Sequence, residues 1–259
     1  MQDKNAEIQK NSFLGERFEF KYIMDPETAI RVQSYIESFG LHEDAYNKRG
    51  SYLVNSYYFD TPTYGDYRDK DGSFLIRKKM RARTYVPNWS QNPEDVWLEI
   101  KKKHNMNIKK RRAKINGDIW QSLISNDAHY DVSELSATIP DEKDREGFEE
   151  FMYFFRLQLY RPSVIVKYDR TAFLSSFTSP VRITFDRNVV TCRADDPRGE
   201  EMMIPVTENI VIMEVKFNQK LPWWFRTLIE RFDLRRDDFS KYRNSVAMLR
   251  GHYQIEISK

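Results

Sequence analysis

Charged and apolar residues alternate with a period of two along several stretches of this chain, which is the spacing of a strand with two unlike faces. In FLIRKKMRARTY, Arg77, Lys79, Arg81 and Arg83 share one parity, and Ile76, Met80 and Ala82 share the other. VWLEIKKK groups Glu99, Lys101 and Lys103, and IKKRRAKI groups Lys110, Arg112 and Lys114. IVIMEVKF pairs Glu214 with Lys216, while VRITFD sets Arg182, Thr184 and Asp186 against Val181, Ile183 and Phe185. RFEFKY places Arg17, Glu19 and Lys21 opposite Phe18, Phe20 and Tyr22. Each segment has one charged face, and most of the charge is positive.

Same-face neighbours on a strand lie about 6 to 7 Å apart, so adjacent cations repel by roughly 2 to 3 kcal/mol at an effective dielectric near 20. Glu19, Glu99, Asp186 and Glu214 offset part of this repulsion, but the cations outnumber them. An anionic guest or structural water must supply the remainder, and a repeating polyanion fits the spacing. Any one of these strands also fits the solvated face of an ordinary antiparallel sheet. The set as a whole favours a groove or lumen, because the opposite, bulky apolar faces must pack on helices. In IVKYDR, Lys167 and Asp169 alternate against Tyr168 and Arg170, so the pattern leaves open which pair faces inward. Ser240 suits a helix N-cap with Lys241 just inside. A cation there opposes the helix dipole, which a phosphate at the helix N-terminus would offset; a lysine bent into solvent is the other reading.

The chain lacks GxxxxGK[ST], HExxH and GxSxG, and His42, His104, His129 and His252 are scattered without metal-ligand spacing. Chemistry therefore falls to carboxylates, cations and a hard metal ion. The bulk balance, 42 Lys and Arg against 39 Asp and Glu, leaves a formal charge of only +3, so any asymmetry is local. Cys192 is the single cysteine, which excludes an intrachain disulfide and a cysteine metal cluster and suits a reducing compartment. No run approaches the 18 or so apolar residues of a membrane span, and MQDKNAEIQKNS lacks the apolar core of a signal peptide. A cytoplasmic protein is expected.

The elements that must carry these residues are eight strands, at about 17–22, 51–59, 74–85, 96–103, 108–115, 163–171, 181–187 and 210–217. A helix follows Asp25 and Pro26, with Ala29, Val32, Ile36 and Phe39 in one stripe. Further helices fall at about 119–125, 142–159, 222–232 and 240–250; in the second, Phe148, Phe151, Met152, Phe155 and Leu159 are in register. Residues 188–209 read as a long polar excursion, and no repeat or hinge divides the chain.

RFEFKY at 17–22, YYFDTP at 57–62, RKKMRARTY at 77–85, WLEIKKK at 97–103, KYDRTAF at 167–173, VRITFD at 181–186, IMEVKF at 212–217 and FSKYRNSVA at 239–247 form an ordered set. Together they resemble the VTC-type polyphosphate polymerase domain of the triphosphate tunnel metalloenzyme superfamily, which includes the CYTH domains. The resemblance spans roughly residues 13–251. It implies an α+β fold in which an eight-stranded antiparallel β-barrel tunnel, with helices packed outside, occupies 15–251 between tails at 1–14 and 252–259. A stand-alone, bacterial-type form is expected, since the phosphate-sensing and membrane segments of eukaryotic members are absent.

By motif, Lys21, Lys79, Arg81, Arg83, Lys101, Arg170, Arg182 and Lys241 resemble the family's phosphate ligands, with Tyr168 and Ser240 assisting. The resemblance also turns Tyr168 and Arg170 toward the tunnel. Arg81, Arg83, Lys101, Arg170 and Arg182 form the expected catalytic set, and Lys103, Lys110, Arg112 and Lys216 add phosphate contacts. Glu214 resembles the carboxylate that holds Mn²⁺ or Mg²⁺, with Glu19, Glu99 and Asp186 as further metal candidates. Two departures stand out: Arg17 replaces the first acid of the ExExK common in tunnel enzymes, and Asp238 stands where eukaryotic members carry a lysine.

The implied activity transfers the γ-phosphate of ATP to growing inorganic polyphosphate. Hydrolysis of tripolyphosphate or a nucleoside triphosphate, and non-catalytic polyphosphate sensing, remain alternatives. Nucleic acid is not expected as a partner, because a closed lumen excludes a duplex. Any coupling to a membrane would come from a separate membrane protein.

Overall fold

The computed structural model describes residues 17–44, 47, 50–69, 76–104, 107–125, 130–175, 181–196, 198–218 and 220–251. The tails expected at 1–14 and 252–259 lie outside the described residues, as does the side chain of Lys103.

The strands are β1 (Arg17–Met24), β2 (Leu41–Glu43), β3 (Tyr52–Asp60), β4 (Ile76–Thr84), β5 (Asp95–His104), β6 (Asn107–Asn116), β7 (Arg161–Ser175), β8 (Arg182–Arg193), β9 (Ile204–Pro205), β10 (Val211–Asn218) and β11 (Arg236–Asp237). The helices are α1 (Pro26–Ser38), α2 (Gly65–Arg68), α3 (Gly117–Ile124), α4 (Val132–Ala137), α5 (Glu142–Leu157), α6 (Trp223–Arg231) and α7 (Lys241–Leu249). The fold is thus mixed α/β around one large antiparallel sheet, in the order β11-β1-β10-β8-β7-β3-β4-β5-β6, with β2 on β7 and β9 on β8.

This differs from the expected eight-stranded barrel. Among the described residues the hydrogen-bonded path is open, with β6 at one end and β11 at the other. Among these residues the end strand β11 (Arg236–Asp237) pairs with β1 alone. The additional strands β2, β9 and β11 and the helices α2 and α4 are too short to show a period in the sequence.

The chain folds as two compact units, each assembled from three segments. One draws on residues up to 52, 170–187 and 209–239; the other on 53–169, 188–208 and from 240 onward. In the first unit, β1 pairs with β10 and β10 with β8, setting Lys21 opposite Glu214 and Glu214 opposite Thr184. Tyr22, Met24, Ile183, Phe185, Val211, Met213, Val215 and Phe217 make the apolar side of this sheet. They bury against Ala29, Val32 and Ile36 of α1 and Trp224, Phe225 and Leu228 of α6. Asp25 caps α1 by accepting from the Thr28 amide at 2.8 Å, and Pro26 opens the helix.

In the second unit, β4, β5 and β6 turn Met80, Ala82, Val96, Leu98, Ile100, Ala113 and Ile115 toward Ile119 and Trp120 of α3 and Phe148, Phe151 and Met152 of α5. Gly147 makes this contact close, because a Cβ there would lie 2.6 Å from the Arg112 carbonyl oxygen. With helices over the apolar side, the charged parity of β4–β6 occupies the other face of the sheet. Leu159 departs from its expected place in the helical stripe. It lies past the end of α5 with φ 52° and is 64% exposed. Within the polar excursion expected at 188–209, residues 188–193 and 204–205 are strand. Strand β8 continues through them to Arg193 and pairs with β9, because Val189, Val190 and Thr191 are β-branched and Val189 and Thr191 bury.

Candidate functional site

In the second unit the antiparallel registers place cations side by side. Lys79 is opposite Lys101, and Lys101 opposite Lys110; Arg81 is opposite Glu99, and Glu99 opposite Arg112; Arg83 is opposite Trp97, and Trp97 opposite Lys114. Like charges directly opposite one another destabilise a sheet, so the row Lys79, Lys101, Lys110 works against the fold that displays it. In the same register the backbone of Arg77 is opposite that of Lys103.

Glu99, only 2% exposed, gathers four of these cations. Arg81 donates to Oε2 through Nε at 2.7 Å and approaches it through Nη2 at 2.6 Å. Lys110 donates to Oε1 at 2.6 Å, while Arg112 Nε and Arg83 Nη2 lie 3.7 and 3.8 Å from the carboxylate. Burial alone would raise the Glu99 carboxyl. Arg81, Arg83 and Lys110 outweigh it and hold the group well below the ordinary carboxylate range. Burial lowers the Lys110 ammonium most; Glu99 opposes this, and Arg81 and Arg83 add to it. Its side chain keeps 45% of its exposure, so solvent moderates that shift. Arg112 stacks 3.4 Å over the Trp97 ring.

Arg81 also donates through Nη1 to the Tyr58 hydroxyl at 3.0 Å. Burial pushes the Tyr58 phenol up, but Arg81, Arg83 and Lys241 carry it below its usual value. Ser240 caps α7 by accepting from the Arg243 amide at 3.3 Å, and Lys79 donates to the same hydroxyl at 2.6 Å. Lys241 is 7% exposed, with Nζ 4.8 Å above the Tyr168 ring, so it is not bent into solvent. Two lysines therefore meet the first turn of α7, where the helix dipole already favours an anion.

In the first unit the charged face is more evenly balanced. Lys21 Nζ donates to the Phe239 carbonyl at 2.6 Å and lies 3.8 Å from Glu19 Oε1 and 4.0 Å from Glu214 Oε1. Glu214 Oε2 is 3.3 Å from Lys216 and 3.5 Å from Arg170 Nη2. Arg170 grips Asp186 with two bonds of 2.6 and 2.7 Å. Arg182 reaches Asp44 at 3.0 Å and the Tyr52 hydroxyl at 3.3 Å. Glu19 and Glu214 thus converge on one ammonium, and Glu214, Asp186 and, in the second unit, Glu99 each have cations at both oxygens. Among the described residues, no group of three or more His, Cys, Asp or Glu side chains is close enough to hold a metal ion.

Several groups at these clusters had not been expected from the sequence: Tyr58, Asp60 and Tyr242 in one unit, and Asp44, Tyr52 and the Phe239 carbonyl in the other. Tyr58 and Asp60 alternate in YYFDTP, but β3 is buried along most of its length, so apolar residues on both faces hide the period. No pattern marks Asp44 or the Phe239 carbonyl, because each meets a partner distant in the sequence.

Fold and clusters together define a sheet protein that gathers cations on one face while helices cover the other. The chain belongs to the VTC domain family, whose sequence profile matches residues 16–250. No curated protein sequence matches it. Among solved structures it is similar to a candidate adenylyl cyclase from Hippeastrum described as having a dominant triphosphatase activity: 13% identity, TM-score 0.50, 93% of this chain and 99% of that chain covered. It is also similar to candidate adenylate cyclases from Vibrio parahaemolyticus (12% identity, TM-score 0.47, 89% and 97% covered) and Bacillus halodurans (10%, 0.44, 87% and 95%). At such identities the likeness concerns the fold alone. No helix among the described residues is long and apolar enough to cross a membrane.

Proposed function

We propose that this protein is a polyphosphate polymerase that moves the γ-phosphate of ATP onto the end of an inorganic polyphosphate chain. The observation that carries this reading is the row Lys79, Lys101, Lys110 beside Arg81 and Arg83, where four cations share the single carboxylate of Glu99. Such a face is stabilised by a guest bearing several closely spaced negative charges, and a phosphate chain carries about one per residue. Membership of the VTC domain family supports the same ligand. The tunnel expected from the resemblance, with this face as its wall, is part of the proposal.

In the transfer, a terminal oxygen of the polyphosphate chain bonds to the γ-phosphorus. The bridging P–O bond to the β-phosphate breaks, and ADP leaves with the electron pair. No protein nucleophile is needed, and positioning and charge neutralisation provide the rate. Arg81, Arg83 and Lys101 are assigned to the oxygens of the transferred group, with Lys79, Ser240 and Lys241 orienting the phosphate at α7. In the first unit, Lys21, Arg170, Arg182 and Lys216 are assigned to phosphate binding.

Glu214 and Glu19 are assigned to Mg²⁺ or Mn²⁺. Their hard oxygens suit such an ion, and fewer than three protein ligands fit an ion that binds through one or two carboxylates together with substrate phosphates. When bound, the ion would neutralise phosphate oxygens during transfer.

Incubation of the purified protein with ATP and Mn²⁺ or Mg²⁺, with products resolved by length, tests the proposal. Long chains support it, and unchanged ATP overturns it in favour of a phosphate sensor. Orthophosphate alone would establish the second reading, hydrolysis, which the triphosphatase activity described for the Hippeastrum protein favours.

A further inference from the structure

The first turn of α7 is held in place by a buried pair that takes no direct part in the phosphate cluster. Asp60, 2% exposed at the end of β3, accepts from the amides of Thr61 at 2.7 Å, Asp66 at 2.9 Å and Tyr67 at 3.0 Å. These bonds fix its carboxylate rigidly to the backbone. Its Oδ2 also accepts from the hydroxyl of Tyr242, the residue after Lys241. The Tyr242 ring is 2% exposed, stacks on Tyr58 at 5.2 Å and lies 5.5 Å below Lys79 Nζ. One side chain therefore ties the helix that presents Ser240 and Lys241 to the strand that carries Tyr58, the hydroxyl partner of Arg81.

We propose that Asp60 and Tyr242 are positioning residues, forming a latch that sets the first turn of α7 so that Ser240 and Lys241 meet a phosphate. This rests on the phosphate-binding reading of that helix N-terminus. Neither residue is assigned to touch the phosphate. Asp60 would repel it, and the Tyr242 hydroxyl is committed to Asp60. Their effect must therefore pass through Lys241 and Ser240, and non-additivity reveals such an effect.

The test is a double-mutant cycle on the full chain, with tripolyphosphate as the probe, titrated calorimetrically without metal at matched pH and salt. Lys241→Ala should weaken binding about tenfold or more, as expected for loss of a charge-assisted contact. Tyr242→Phe removes the latch hydroxyl and keeps the ring; it should weaken binding about threefold to tenfold. In the double variant, the Tyr242→Phe change should add less than about twofold to the loss from Lys241→Ala. Asp60→Asn, which keeps a carbonyl acceptor for the Thr61 and Asp66 amides but replaces the oxygen shared by the Tyr67 amide and Tyr242, should weaken binding at least as much as Tyr242→Phe.

Wild-type affinity in Tyr242→Phe, with Lys241→Ala still impaired, overturns the latch and leaves the phosphate reading intact. Losses that multiply in the double variant also overturn it, since the two residues would then act separately. Lower melting temperature with unchanged affinity would make Tyr242 merely structural. Failure of the wild-type protein to bind tripolyphosphate would remove the phosphate reading itself, and the latch with it.

Discussion

Glu99→Gln isolates what the carboxylate at the centre of the cationic cluster contributes. Glutamine keeps the volume and one carbonyl acceptor, so the change is in charge. Arg81 loses its ionic partner at 2.6 and 2.7 Å, and Lys110 loses the one at 2.6 Å. Removing one member of a buried ion pair costs about 3 to 5 kcal/mol. Lys110 and Arg112 retain 45% and 40% exposure, so water absorbs much of their share, and the cost rests mainly on Arg81. A loss near the lower bound, about 3 kcal/mol, is expected, a sizeable part of the roughly 5 to 15 kcal/mol that holds a folded protein together.

The sign with pH follows from the depressed Glu99 carboxyl. Its contribution is present above the unfolded carboxylate value and is lost only as pH falls through the lower folded value. The gap between wild type and variant should therefore persist from about pH 8 to about pH 5.

Tripolyphosphate should narrow that gap, because the guest supplies the missing negative charge. Ligand at a hundred times its dissociation constant stabilises by about 2.7 kcal/mol, and the shift should be larger in the variant than in the wild type. Urea unfolding followed by tryptophan fluorescence, with and without tripolyphosphate at matched ionic strength, measures both effects. A variant as stable as wild type, or equal ligand shifts in the two proteins, would refute the assignment of this cluster as a charge-frustrated anion site.

Further outcomes follow from other buried charges. Burial, then the neighbouring Asp60, raises the Asp66 carboxyl from 3.8 to about 7 against the Tyr160 hydroxyl bond. Its share of stability is therefore full at low pH and lost as pH rises toward about 7. Asp66→Asn should flatten this dependence and be more stable than wild type at pH 8 by about 1 to 4 kcal/mol, read from urea midpoints at pH 5 and pH 8. Asp186→Asn should cost about 3 to 5 kcal/mol by leaving Arg170 without its bidentate partner, measured by thermal melts. Glu214→Gln should reduce metal-dependent turnover about tenfold or more, while metal-free polyphosphate binding in the titration holds or tightens.

Much of the charged face was legible in advance because strand parity is a local property. Arg77 through Arg83, Glu99 with Lys101, and Lys110 with Arg112 share the faces that the period of two predicts, and the apolar parity packs on helices as expected. Helix starts were legible for the same reason, since Asp25 and Ser240 bond to amides three residues ahead. Strand β3 was legible as a strand but not as a source of site residues. Tyr58 and Asp60 share a face only once the strand is built, because bulky residues occupy both parities.

By itself the sequence determined which side of β4, β5 and β6 the charged residues share, though not the side taken by Lys167 or Arg170, and that Asp25 and Ser240 cap their helices, because these depend on backbone geometry over a few positions. Only the tertiary structure decided which cations stand abreast, since register is a relation between distant segments. It decided that four of them share Glu99, that Lys241 buries over Tyr168 instead of reaching solvent, and that Asp60 holds Tyr242 across 182 positions of chain. It also decided that the sheet among the described residues runs open from β11 to β6. Closure depends on the pairing of terminal strands, and no local pattern encodes it.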